Sequence, residues 1–129
     1  MHRQQERVAV IGKRPGGLLE FTRLLNELGL FDISLRNTAN QIVELLDKGH
    51  RFSALFFDNF DIHKDGESVK SIACYRAIDQ IILTADVNSQ ERRQLLEWGK
   101  KRSVAMLQVM QLPIRTEDLK KVMNPPLTR

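Results

Sequence analysis

Phe52-Ser53-Ala54-Leu55-Phe56-Phe57-Asp58 is the stretch on which the fold turns. Six residues, five of them apolar, run without alternation into a carboxylate. A strand with one wet face alternates polar and apolar residues, whereas a continuous apolar run marks a strand covered on both faces, as in parallel sheets. Moving outward, Val8-Ala9-Val10-Ile11, closed by Gly12, has the same character, and so do Gln80 to Ala85 and Val104 to Val109. Phe31 to Leu35 alternates and reads as a strand.

Helical spacing fills the gaps between these runs. Leu18, Phe21, Leu25 and Leu28, with Leu24 beside them, form one apolar stripe after the Pro15-Gly16-Gly17 turn, and Gly29 stops it. Ala39, Ile42, Val43 and Leu46 form a second, with Asn37 as the expected cap and Gly49 as the stop. Asn59 to Glu67 reads as a polar loop carrying Asp61, Asp65 and Gly66, followed by a helix with Val69, Ile72 and Ala73. Ser89 is the expected cap of a helix bearing Leu95, Leu96 and Trp98, ended by Gly99. Thr116 is the expected cap of a last helix with Leu119, Val122 and Met123, stopped by Pro125-Pro126. Five strand–helix units in strict alternation predict a doubly wound (βα)5 fold with a five-stranded parallel sheet. The domain is expected over residues 1–123, with 124–129 a tail or the start of a linker.

Composition narrows the function classes. The chain has 129 residues, 42% hydrophobic and 28% charged, a globular balance for one domain. One cysteine, Cys74, excludes an internal disulfide framework and a multi-cysteine zinc site; on a predicted helix it reads as a small buried apolar residue. No run approaches a membrane span, and the polar start Met1 to Arg7 lacks the form of a signal peptide, so a cytoplasmic protein without membrane partners is expected. His2, His50 and His63 have no metal-ligand spacing. Gly12-Lys13-Arg14-Pro15-Gly16-Gly17 has the residue types of a phosphate loop in the wrong order. Asp61, His63, Asp65 and Gly66 superficially suggest a calcium loop, but the required glutamate position is Ile72. The net charge of +4 permits nucleic-acid binding, yet neither a helix-turn-helix nor aromatic–basic interleaving is present, so none is expected for this domain alone.

In a doubly wound sheet, chemistry gathers at the carboxyl ends of the strands. Those positions are Gly12-Lys13, Asp58, Thr84-Ala85 and Leu112-Pro113. Phe56-Phe57-Asp58 with Gly66 eight residues on, Ile82-Leu83-Thr84-Ala85, and Leu112-Pro113 together resemble the receiver domains of bacterial two-component response regulators, over about Arg7 to Met123. The resemblance implies a flavodoxin-like receiver fold, with Asp58 at the phosphoacceptor position and Thr84 at the phosphoryl-contact position. It also implies a histidine kinase as partner, an attached or separate output domain, and a homodimer. Val104 to Ile114 is similar to receivers joined to cyclic-di-GMP phosphodiesterase domains, which makes such a domain one candidate output.

The departures matter more. Receivers keep an acidic pair after the first strand to hold Mg²⁺, where this chain has Gly12 and Lys13, followed by Arg14. The family's lysine after the fifth strand is Leu112 here. Mg²⁺ requires oxygen ligands, and phosphoryl transfer requires neutralised charge on the moving group. The expectation is a degenerate pseudo-receiver with no enzymatic activity and weak or absent Mg²⁺ binding. In it, Lys13 or Arg14 pairs with Asp58 in place of the metal. The alternatives are a conventional receiver phosphorylated on Asp58, or a plain strand-end carboxylate with no such role. Arg92-Arg93, Lys100-Lys101-Arg102 and Lys120-Lys121 form either a solvated face or a docking face on the last two helices. Trp98 is expected to lie far from the metal position.

Overall fold

The computed structural model describes residues 6–14, 16–104 and 106–123. The tail expected over 124–129, and the proline stop within it, lie outside the described residues. The elements are β1 (Arg7–Ile11), α1 (Gly17–Glu27), β2 (Asp32–Arg36), α2 (Ala39–Asp47), β3 (Phe52–Phe57), α3 (Ile62–Cys74), β4 (Ile78–Ala85), α4 (Ser89–Lys101), β5 (Leu107–Gln111) and α5 (Thr116–Met123). All strand pairs are parallel, in the order β2-β1-β3-β4-β5. The doubly wound (βα)5 fold read from the sequence is the fold observed.

The continuous apolar runs serve two cores at once. Along β1 and β3, Val8, Val10, Ala54 and Phe56 pack with Phe21, Leu24, Leu25 and Leu119 under α1 and α5. Their alternate neighbours Ala9, Ile11, Leu55 and Phe57 pack with Ile42, Leu46, Val69, Ile72 and Leu95 under α2, α3 and α4. Side chains of successive strand residues leave opposite faces, so a strand feeding two cores is apolar at almost every position, and Ser53 at the start of β3 spends its hydroxyl on the Arg7 carbonyl. A fully buried Phe such as Phe56 contributes roughly 1.5–3 kcal/mol over an exposed one. This rigid centre fixes where the strand ends emerge.

Several boundaries differ from the sequence reading. Asn88, not Ser89, caps α4: its side chain accepts from the Glu91 N–H at 2.8 Å, and Glu91 reciprocates. Thr38, not Asn37, caps α2 in the same way with Gln41, while Asn37 Nδ2 donates to the Gly12 carbonyl. Thr116 is the first residue of α5, and the Arg115 carbonyl accepts from Leu119 N–H. Gly99 does not end α4. It lies inside the helix because the Leu107 side chain occupies the space a Cβ would need. The fifth strand starts at Leu107 rather than Val104, since Ser103 and Met106 adopt positive φ and turn the chain first. Most of the expected polar loop, from Ile62 onward, is helix: Asp61 caps α3, so Asp65 and Gly66 are helical and buried. Cys74 is exposed at the end of α3, not buried.

Candidate functional site

The strand order reverses between β1 and β3, which places a crevice above their carboxyl ends. Asp58 is the first residue past β3, and its backbone N–H donates to the Ile11 carbonyl at 2.9 Å. Its side chain is 0% exposed. A buried carboxylate needs partners for its lone pairs and a countercharge. Both come from named groups. Arg14 Nε donates to Asp58 Oδ2 at 2.9 Å and Arg14 Nη2 to Oδ1 at 2.9 Å, a two-pronged pair. Thr84 Oγ1, at the end of β4, also donates to Oδ1 at 2.9 Å. The same hydroxyl accepts from Asn59 N–H at 2.8 Å, which fixes the chain just after Asp58. Among the described residues no buried side-chain polar atom lacks a partner.

Glycines let these groups approach. Gly16 has φ +81 and precedes α1, a conformation that disfavours other residues. A Cβ on Gly17 would sit 3.0 Å from Asp58 Oδ2 and 3.6 Å from Arg14 Cβ. The carboxylate therefore lies against the first turn of α1, where the helix dipole favours negative charge. A Cβ on Gly12 would meet Leu18 Cδ2 at 2.6 Å, so an acidic side chain there requires Leu18 to move.

Lys13 goes elsewhere. Its Nζ donates to both oxygens of Asp65, at 3.0 and 2.8 Å, and lies 5.5 Å from the Phe57 ring centroid. Asp65 Oδ2 also accepts from Asp61 N–H at 2.9 Å. Asp61 in turn accepts from the backbone of His63 and Lys64. The His63 N–H chiefly, against a smaller effect of desolvation, holds the Asp61 carboxyl below the ordinary carboxylate range. One loop thus reaches β3 through Arg14 and α3 through Lys13.

The remaining positions are peripheral to this cluster. Leu112 is half-buried after β5, its N–H bonded to the Ala85 carbonyl, and lines a groove with Arg14, Glu20, Asn59, Asp86 and Pro113. Trp98 packs beside Phe60, two residues beyond Asp58, with ring centroids 5.8 Å apart, and against Gly66. Asp58, Thr84 and the Lys13-Arg14 dipeptide were singled out from the sequence. Gly17, Asn37 and Asn59 were not read as site residues, and Asp65 was read as a loop residue rather than as the partner of Lys13. The Gly16-Gly17 pair was the available signal, because adjacent glycines at a strand-to-helix turn permit close approach to a neighbouring group.

The chain matches no family model and no curated protein. Several solved structures share its architecture. A protein described as pilus assembly-related from Burkholderia pseudomallei aligns with a TM-score of 0.73 at 18% identity, covering 100% of this chain and 98% of that one. The receiver domain of a sensor histidine kinase from Pseudomonas aeruginosa, which has a magnesium ion in its active-site cleft, aligns with a TM-score of 0.67 at 16% identity, covering 93% and 95%. A CheY-like response regulator receiver domain protein from Methanospirillum hungatei gives 0.61 at 19%, covering 92% and 90%. With five parallel strands alternating with five helices, and these superpositions over more than nine-tenths of its length, the chain has the flavodoxin-like fold of response-regulator receiver domains.

Proposed function

We propose that this chain is a regulatory module of signal transduction, a pseudo-receiver that acts through protein contacts and not through chemistry of its own. The observation that carries the reading is the two-pronged bond of Arg14 to the buried Asp58 carboxylate. Three of the roughly four lone-pair positions of that carboxylate are taken, by two guanidinium N–H groups and the Thr84 hydroxyl. Among the described residues no group of three acidic, histidine or cysteine side chains is arranged to hold a metal ion. The donor set does not fit Mg²⁺: a fixed cation occupies the carboxylate, and the neighbouring lysine is tied to Asp65.

The pair keeps the domain in one arrangement, and the output follows from what binds it. Exposed basic residues on α4 and α5, among them Arg93, Lys100, Lys101, Lys120 and Lys121, suit an acidic surface of a partner or attached output domain. Lys13 and Arg14 are neutralised internally, whereas α4 keeps an uncompensated excess of basic over acidic residues and α5 presents Lys120 and Lys121 in its last turn.

A second reading is favoured by one contact. Thr84 donates to Asp58 where the resemblance puts a phosphoryl contact, which suits a conventional receiver phosphorylated on Asp58 by a histidine kinase. One experiment separates the two. Incubation with acetyl phosphate and Mg²⁺, followed by intact-mass measurement, leaves the mass unchanged if Arg14 holds the carboxylate. Stable, near-stoichiometric addition of a phosphoryl group that Asp58→Asn abolishes overturns the pseudo-receiver reading.

A further inference from the structure

The two edges of the sheet are β5 and β2. At β5, Arg92 Nε reaches from α4 and donates to the outward carbonyl of Val109 at 2.9 Å, so a neighbouring helix lies over that edge. At β2, Gly12 N–H donates to the Arg36 carbonyl. In a parallel ladder the N–H and C=O of one residue point the same way, and alternate residues point oppositely. Asp32, Ser34 and Arg36 therefore face β1, and the backbone groups of Ile33 and Leu35 face outward. Among the described residues their one side-chain partner is Arg36, whose Nη1 donates to the Leu35 carbonyl at 2.8 Å. No proline or lysine blunts the strand, and Phe31 just before it is 70% exposed.

The sequence of this edge is complementary to itself. Laid antiparallel on a second copy with Ser34 opposite Ser34, Asp32 faces Arg36, and Ile33 faces Leu35, at both ends. Ile33 and Leu35 are the residues with outward backbone groups, so each such pair exchanges two N–H to C=O bonds. Asp32 and Arg36 then fall at the closer, non-hydrogen-bonded positions, where opposite charges attract most. Ile33 and Leu35 pack toward the α1–α5 layer. Phe31 lies on the same face by strand alternation, diagonal to Leu35 of the second copy and within reach of an aromatic ring.

We propose that β2 pairs antiparallel with β2 of a second copy about a two-fold axis at Ser34, joining two five-stranded sheets into one. Forming it requires Arg36 to leave the Leu35 carbonyl and Asp32 to leave Arg7, a half-exposed contact of 3.5 Å. Both are surface interactions of small net value.

Sedimentation equilibrium of the full chain, over roughly 1–500 µM, tests this. A concentration-dependent dimer that weakens with added salt is expected. Arg36→Asp sets like charges opposite each other twice and should raise the dissociation constant about tenfold or more, and the Asp32→Arg/Arg36→Asp double variant should restore it. Ile33→Pro should abolish the dimer with the far-ultraviolet circular dichroism retained, because the Ile33 N–H is not part of the ladder to β1. A monomer throughout overturns the proposal. So does a dimer indifferent to both Arg36→Asp and Ile33→Pro, or one lost only when Lys100 and Lys101 are reversed in charge. None of these outcomes bears on the phosphoryl-transfer assay, which judges the pseudo-receiver reading by itself.

Discussion

Lys13 and Arg14 are adjacent in the chain, equally wet, and paired with carboxylates in unequal settings. Their side chains are 40% and 41% exposed. The carboxylates differ: Asp58 is 0% exposed, while Asp65 is 11% exposed and has a backbone N–H as a further partner. The weight of an ion pair follows the group that cannot return to water. Arg14 neutralises a charge sealed between two cores, and Lys13 assists a charge that already sits at a helix start.

The largest expected effect breaks that contrast directly. Arg14→Ala strands a buried charge and should cost about 2–4 kcal/mol, a fall in Tm of roughly 8–15 °C by thermal denaturation. Asp58→Asn should cost clearly less, because a half-exposed Arg14 can return to solvent. Equal losses would mean that burial of the carboxylate is not what sets the scale. Gly17→Ala comes next, at about 1–3 kcal/mol, because its Cβ falls 3.0 Å from Asp58 Oδ2. The Arg14→Ala/Gly17→Ala double variant should lose less than the sum, a non-additivity visible in urea unfolding.

On the α3 side, Asp61→Ala removes a cap and should lower the Tm by less than Gly17→Ala does. The folded pKa of Asp61 lies below its unfolded value of 3.8. Its contribution is therefore present above the unfolded pKa and is lost as pH falls through the folded one. The difference in Tm between wild type and Asp61→Ala should be constant from pH 5 upward and shrink in acid. The smallest effect belongs to Lys13→Ala, at about 0.5–1 kcal/mol and reduced by salt. A Lys13→Ala loss as large as that of Arg14→Ala would erase the distinction between the two pairs.

Much of this was legible beforehand, for a physical reason. Strands buried on both faces must be apolar at nearly every position, so Phe52 to Phe57 and Val8 to Ile11 announced themselves. Elements limited by local bonding were harder. Asp61, Asn88 and Thr38 each cap a helix one to several residues from the expected place, since several neighbouring polar side chains could have served. Gly99 read as a stop because glycine ends helices well, but Leu107 required its missing side chain. Cys74 sat on an apolar stripe by residue type and still faces outward.

The sequence by itself determined that a carboxylate ends the central strand, that a hydroxyl lies near the end of the next, and that a glycine and a lysine, followed by an arginine, stand where the resembled family keeps acids. It could not say which cation meets which carboxylate. Consecutive side chains at a turn leave the backbone in different directions, and the distances between β1, β3 and α3 exist only once the sheet is assembled. The tertiary structure sent Arg14 to Asp58 and Lys13 to Asp65. It also left β2 at one open edge of the sheet, where its self-complementary charges can matter.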